Sequence, residues 1–365
     1  MFLCARAERY VSPPTRDTYL FFEKEHVPCY AALMLRPVTL LLALLLAAAA
    51  PPPPRHANPV LDADFPDPAV LKAPDGFYYA YATQTERGGR MVDIQVARSR
   101  DLVHWAQLGD ALPVKPRWAR RTQDFWAPHV VRHGVLYYLY YSAKPDAALA
   151  DPKQGLCLAV ATARSPGGPF TDSGRPLQCG EGFANIDPMA FDDPATGRRL
   201  LYWGSGFGPI KVRELAPDRL SFAPGSRAVE LVAPDKGAPY QALIEGAWML
   251  RRGGWYYLFY SGDNCCGPKA HYAVMVARAR SATGPFEKRG APILEASGRW
   301  LAPGHNSLIE DARGTLWILY HAIDTHRPGE PVNTRRVMLL DRLAWRDGWP
   351  VVEAPSGALS RAPGS

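Results

Sequence analysis

The stretch YYLYYSAKPDAALADPKQGLCLAVATARSPGGPF, residues 137–170, returns further along the chain as YYLFYSGDNCCGPKAHYAVMVARARSATGPF, residues 256–286. Both open on an aromatic run, cross a polar turn, continue through small and β-branched residues to Ala-Arg, and close on Gly-Pro-Phe. Looser copies read FYYAYATQTERGGRMVDIQVARSRDLVHW (77–105), LLYWGSGFGPIKVRELAPDRLSF (200–222) and LWILYHAIDTHRPGEPVNTRRVMLLDRLAW (316–345). Short runs rich in Tyr, Val, Ile and Trp between Gly, Pro and Asp are strand and hairpin chemistry, and helical periodicity is nearly absent. Repeats of about 50 to 60 residues with four strands each specify an all-β, five-bladed β-propeller, in which every sheet buries its faces against its neighbours around a central channel. A sandwich or solenoid is the alternative arrangement of such strands.

Aligning the copies on their turn glycines puts one residue of each at an equivalent place. Nine residues before Gly76 stands Asp67, nine before Gly254 stands Glu245 and nine before Gly314 stands His305; ten before Gly197 stands Asp187, and the second copy supplies Trp126. The first strand of each propeller blade lines the channel, so these residues are expected to meet in one axial cavity, the expected active site. Three of the five are carboxylates. Carboxylates forced together raise at least one pKa, and glycoside hydrolysis uses such a set: a protonated acid for the departing oxygen and an ionised base to activate water on the opposite face. Taken singly, Asp67 and Asp187 each precede Pro, where Asp also caps turns. Glu245 stands in an apolar strand, where an unpaired charge is costly. Trp126, Trp203 and Trp248, near the same strand ends, are candidates for stacking on sugar faces, blade packing being the other use of Trp. His305 is either a core histidine or a ligand of an axial cation or water.

Composition bounds the rest. With 365 residues, 47% of them hydrophobic, the chain can bury a large core. Its net charge of +7 is spread among interspersed Lys, Arg, Asp and Glu, which argues against nucleic-acid binding. Residues 1–33 show no periodicity and are expected to be a non-native leader, with Met34 the true start, or else a disordered extension. Residues 34–50 carry one Arg, an apolar run from Val38 to Ala50 and small residues at Ala48 and Ala50, the layout of a signal peptide. The run is short for a membrane span, which needs about 20 apolar residues; a membrane anchor is the competing reading. A Pro-rich linker (51–57), the propeller (58–352) and a disordered tail (353–365) are expected to follow, in a secreted or periplasmic protein that has no membrane contact once the signal is removed. Four cysteines remain after residue 50, and four permit three pairings, Cys157–Cys179 among them. Cys265 and Cys266 adjoin in the loop SGDNCCGP, and no cysteine spacing supports a zinc site.

NPVLDADFPDPAV (58–70), IDPMAFDD (186–193), IEGAWMLRRGGWYYLFYS (244–261), APGHNSL (302–308) and LYHA (319–322) together resemble glycoside hydrolase family 43, which contains β-xylosidases, α-L-arabinofuranosidases and arabinanases. The resemblance runs from Asn58 to about Val352. It implies a propeller in which Asp67 is the general base, Glu245 the proton donor, and Asp187 the acid that orients the donor and keeps its pKa high. It also implies that His305 helps hold a calcium ion or its water, that Arg336 or its neighbour Arg335 reaches the sugar, and that no organic cofactor is needed. One departure is visible: WAPH (126–129) places His129 where the family often has an acid.

The implied reaction is inverting, with the Asp67 and Glu245 carboxyl groups roughly 6.5–9.5 Å apart to admit water. The implied partner is an arabinose- or xylose-containing oligosaccharide or polysaccharide, with a lean towards arabinose, acted on by a monomer. A β-xylosidase, a non-catalytic carbohydrate-binding propeller and a secreted structural repeat protein are the competing readings.

Overall fold

The computed structural model describes residues 55–326, 335–352 and the strand Ser360–Arg361. The expected leader and signal peptide, and most of the linker and tail, lie outside the described residues. Five antiparallel sheets follow one another along the chain, without an α-helix among the described residues. Blade 1 runs through Ala69–Lys72, Tyr78–Ala82, Gln95–Ser99 and Trp105–Asp110. Blade 2 runs through Trp126–His133, Leu136–Ala143 and Cys157–Ala163, whose outer edge pairs with both Thr171–Asp172 and Gln178–Cys179. Blade 3 comprises Met189–Asp192, Arg199–Trp203, Ile210–Glu214 and Val229–Val232, and blade 4 Ile244–Arg252, Trp255–Asn264, His271–Ala279 and Glu287–Lys288. Blade 5 comprises Trp300–Glu310, Leu316–Asp324, Arg336–Arg346 and Trp349–Val352. The first strand of each blade meets the first strand of the next, and blade 5 returns to blade 1, which closes the ring around an axis.

The aromatic second strands explain why the sheets stack. In Leu136–Ala143, Tyr137, Leu139 and Tyr141 pack with Tyr79, Tyr81 and Val96 of blade 1, while Tyr138 and Tyr140 face Leu201 and Trp203 of blade 3. In blade 4, Tyr256, Leu258 and Tyr260 join Leu200 and Tyr202 of blade 3, and Tyr257 and Phe259 join Ile318 and Tyr320 of blade 5. Successive side chains point to opposite faces, so a strand covered on both sides is apolar at every position, as these sequences are. Tyrosine suits the place because its hydroxyl can leave the core: Tyr81 donates to the Pro166 carbonyl, Tyr140 to that of Arg219 and Tyr202 to that of Ala282, each across a blade boundary. Cys157 and Cys179, on paired strands of blade 2, are disulfide-bonded, one of the pairings open in the sequence.

The ring is sealed by the segment that precedes blade 1. Val60 and Leu61 donate their amides to the Met338 carbonyl and Phe65 to that of Arg336, so this segment runs along the third strand of blade 5. Asn58 fixes the register by accepting from the Leu340 amide at 2.9 Å and donating to its carbonyl at 3.2 Å. Arg55–His56, in the expected linker, pairs with Ser360–Arg361, in the expected tail. These two pieces are therefore strand rather than irregular chain, because each supplies the backbone hydrogen bonds that the other's edge lacks.

All five blades carry the same defect in or just before the first strand. Asp67, Ala127, Asp187, Gly246 and His305 have φ of 58°, 46°, 58°, 63° and 46°, a left-handed kink at equivalent points of the blades. A left-handed residue other than Gly costs roughly 1–2 kcal/mol, so something must hold the ring. The kinked amides do so in four cases by donating to a polar side chain of the preceding blade: Ala127 to Thr83 Oγ1, Gly246 to Asp187 Oδ2, His305 to Ser261 Oγ and Asp67 to His321 Nδ1. The kink corrects the glycine register by one residue in blades 2 and 4, where Trp126 and Glu245 precede the equivalent position instead of occupying it.

Candidate active site

The kinks turn side chains of several blades towards one pocket at the end of the axis, which encloses about 880 Å³ of space out to its open mouth. Asp67, Asp187 and Glu245 lie in its floor with His305 and Arg336. Trp126, Phe183, Ile186 and Leu243 form apolar wall, and the turn Asp263–Cys266 completes the rim. All three carboxylates are more than nine-tenths buried, at 8%, 6% and 9% exposure, so their charge states are set by neighbours rather than by water.

Asp67 is the anchored one. Its Oδ1 accepts from Arg336 Nη1 at 3.1 Å, its Oδ2 accepts from Thr83 Oγ1 at 2.5 Å, and His321 Nδ1 lies 3.2 Å from Oδ1. Burial alone would raise this carboxyl, but the Arg336 guanidinium beside it outweighs burial and holds Asp67 well below the ordinary aspartate value. Arg336 supplies the fixed positive charge, since burial lowers His305 and takes His321 down to about 4, leaving both neutral at pH 7. Glu245 is pushed up to about 7, first by burial and also by the negative charge of Asp67, against a hydrogen bond from Tyr272 Oη to Oε1 at 2.9 Å. Asp187 is raised well above its ordinary value by burial and then by Glu245 and Asp67, although Oδ2 accepts from the Gly246 amide at 2.9 Å. With one guanidinium already committed to Asp67, Asp187 and Glu245 cannot both be ionised cheaply, and they titrate as a pair that keeps a proton. One ionised and one protonated carboxyl group in a single cleft is the constellation of general acid–base chemistry.

The family model that matches this chain is Glycosyl hydrolases family 43, over residues 56–350. The chain belongs to glycosyl hydrolase family 43. It is therefore a glycosidase, hydrolysing O-glycosyl bonds. The family's extracellular endo-α-(1→5)-L-arabinanase 1 of Bacillus subtilis is 27% identical over 303 residues, 78% of this chain and 86% of that protein. The probable arabinan endo-1,5-α-L-arabinosidase B of Aspergillus fumigatus is 30% identical over 308 residues, 71% of this chain and 78% of that one. Among solved structures, a thermostable family-43 glycoside hydrolase superposes with a TM-score of 0.70 at 29% identity, covering 85% of this chain and 99% of its own. The α-L-arabinanase of Cellvibrio cellulosa shares the propeller fold, with a TM-score of 0.66 at 24% identity over 80% of this chain and 95% of its own.

Against the family pattern, the pocket collects Asp67, Asp187, Glu245, Trp126, His305 and Arg336. Arg335 turns away to Asp62, at 2.7 Å, whereas Arg336 lines the pocket. Two sugar-stacking candidates are corrected. Trp203 is fully buried between blades 2 and 3 against Phe222, because its strand is covered on both faces. Trp248 lies past the kink, where its ring packs edge-on against His129 and between the cores of blades 3, 4 and 5 rather than in the pocket. His129, at the family's acidic position, accepts from the Ala190 amide and is held neutral by burial, its pKa down to about 3.

Thr83, His321 and Tyr272 were not singled out in the sequence, yet they hold Asp67 and Glu245. The repeats carried a signal for the first two: Thr83, Ser261 and His321 each close the aromatic run of their blade, in YYAYAT, YYLFYS and LWILYH, the position that supports the next kink. Among the described residues no three His, Cys, Asp or Glu side chains are grouped to hold a metal. Beside the axial cavity under the pocket, however, Asn306 has both side-chain polar atoms buried without a protein partner, next to His305. That pair offers one amide oxygen and one imidazole nitrogen, so a calcium ion held there would need water for most of its ligands.

Proposed function

We propose that the protein is an exported, inverting glycosidase that cleaves arabinofuranosyl linkages of arabinan or its oligosaccharides. The observation that carries the reading is the charge asymmetry in the pocket floor: Asp67 is held ionised by Arg336 while Glu245 is pushed up to about 7. Asp67 takes the proton of a water molecule as that water attacks the anomeric carbon. Glu245 gives its proton to the departing oxygen and keeps it until then because a second negative charge beside Asp67 is unfavourable, while Asp187, which accepts from the Gly246 amide, positions the donor strand. Arg336 stops Asp67 from competing for the same proton. A calcium ion held by His305 and Asn306 would add positive charge near Asp67 and favour the ionised base.

The arabinose assignment is supported by relatives, including the Bacillus subtilis endo-arabinanase, the extracellular exo-α-(1→5)-L-arabinofuranosidase of Cellvibrio japonicus and the probable arabinan endo-1,5-α-L-arabinosidase D of Emericella nidulans. Export is supported by the word extracellular in two of those names and by the signal layout of residues 34–50. The deciding experiment is a product profile on linear arabinan, arabinoxylan and xylo-oligosaccharides, with the anomer of the first product read by NMR. Arabinose or arabino-oligosaccharides of inverted configuration are expected. Release of xylose alone would transfer the protein to the β-xylosidases, retention would exclude the water-attack geometry, and sugar binding without any product would leave a carbohydrate-binding propeller.

A further inference from the structure

The proposed mechanism uses the floor of the pocket and leaves its rim unexplained, in particular the vicinal pair Cys265–Cys266. The two sulfurs are bonded to one another, and both residues line the pocket that holds the three carboxylates. The turn that carries them is built rather than loose. Asn264 Nδ2 donates to the carbonyls of Cys266 and Lys269, at 2.9 and 3.1 Å, and ties the turn across its base. The Asp263 amide donates to the Leu243 carbonyl at 2.8 Å, fastening the turn to the start of the neighbouring first strand. Gly262 is required there, because a Cβ would overlap the Tyr240 carbonyl. Cys265 is half-buried against the cluster of Tyr272, Ala302 and Ile323, which includes the tyrosine whose hydroxyl holds Glu245; Cys266 is exposed.

We propose that the Cys265–Cys266 disulfide is a sugar-binding wall of this pocket, lying against the C–H face of the pentose ring whose hydroxyls meet the polar floor. The proposal rests on the reading of the protein as a pentosidase. An arabinofuranose carries C–H bonds and a C5 methylene beside its hydroxyl groups, and the pocket lining is mixed in the same way: carboxylates and Arg336 together with Trp126, Leu243 and the disulfide. Bonded sulfurs carry no S–H to satisfy, are polarisable and apolar, and form a plate with no rotamer freedom to lose on binding. Two free thiols at the same positions would restore both the polar hydrogens and the rotation. Reduction is therefore expected to weaken substrate binding while leaving the carboxylates in place: dithiothreitol gives up two electrons and two protons and becomes a cyclic disulfide, and Cys265 and Cys266 become thiols.

The test compares the wild-type chain, the double variant Cys265→Ala/Cys266→Ala, and the variant Cys157→Ala/Cys179→Ala, which removes the blade 2 bridge so that reductant acts on the vicinal pair. Steady-state hydrolysis of α-1,5-arabinotriose is measured with and without dithiothreitol, and alkylation with mass spectrometry reads the thiol state. Loss of the wall is expected to raise KM about ten-fold with kcat changed less than about two-fold, the signature of binding lost equally from ground and transition states. The same rise is expected when dithiothreitol reduces the Cys157→Ala/Cys179→Ala variant, and no further rise in Cys265→Ala/Cys266→Ala. If that variant does not fold, the reduction arm decides alone. An unchanged KM in the reduced protein overturns the proposal with the pentosidase reading intact; a wild-type chain that hydrolyses no arabinoside or xyloside overturns both.

Discussion

At the residue scale, Tyr272 has a role that can be separated from packing. Its ring stacks on His321 with an interplanar angle of 7°, and its hydroxyl donates to Glu245 Oε1. That bond favours the ionised carboxylate, so Tyr272→Phe is expected to move the basic limb of the kcat/KM profile above its wild-type position near pH 7, while activity falls because the donor is less well aimed. A basic limb that does not move would reduce Tyr272 to filler. Stability should answer in the opposite sense to activity. Glu245 is raised in the folded protein, from 4.5 to about 7, so its contribution is fully present below pH 4.5 and is lost as pH rises through 7. Glu245→Gln removes the titration and keeps an acceptor for Tyr272. Its melting temperature is expected to match wild type at pH 4.5 and to exceed it at pH 8, by on the order of 1–3 kcal/mol of stability. Equal melting curves at both values of pH would show that Glu245 is not strained by its burial.

At the scale of the strand, the kinked first strands determine where catalytic side chains point, and the glycines of the blade 4–5 boundary show how little slack they have. Gly304 lies immediately before the kinked His305, and a Cβ on it would overlap the Tyr272 ring. Gly304→Ala should therefore push Tyr272 off Glu245, shift the basic limb as Tyr272→Phe does, and cost about 1–3 kcal/mol for overpacking. The two changes should be strongly non-additive in the pH shift, because both act on one hydrogen bond; additive shifts would separate Gly304 from the acid. The kinks also explain which parts of the site were legible in the sequence. The strands were legible because apolarity on both faces leaves continuous aromatic runs such as Tyr256–Tyr260. Asp67 and Asp187 were legible because their repeats align, although the Pro that follows each also suits an Asp that merely caps a turn. Trp203 and Trp248 misled because the repeat fixes a residue's place along a strand but not the face it takes after a bulge. Tyr272 escaped because its function depends on a contact between the third strand of blade 4 and the first, which no local pattern encodes.

At the scale of the whole molecule, the ring closes where the proposed base stands. The segment before blade 1 lies along the strand of blade 5 that carries Arg336: the Arg336 carbonyl accepts from Phe65, and its guanidinium meets Asp67 two residues further on. Opening this seam would separate Asp67 from the cation that keeps it ionised, so closure of the ring and completion of the site depend on the same contacts. Asn58 is the device that can be tested without touching the pocket. It is buried at 6% exposure and bridges both backbone groups of Leu340, so Asn58→Ala strips the Leu340 amide of its acceptor and should destabilise the protein by about 1–3 kcal/mol. At 25 °C the remaining folded protein should keep wild-type kcat and KM. In urea, loss of arabinosidase activity and loss of tryptophan fluorescence should move together to lower concentration, with an unchanged slope. If activity were instead lost well before fluorescence, the seam would open locally ahead of the blades, and closure would govern the site without being the final step that holds the propeller together.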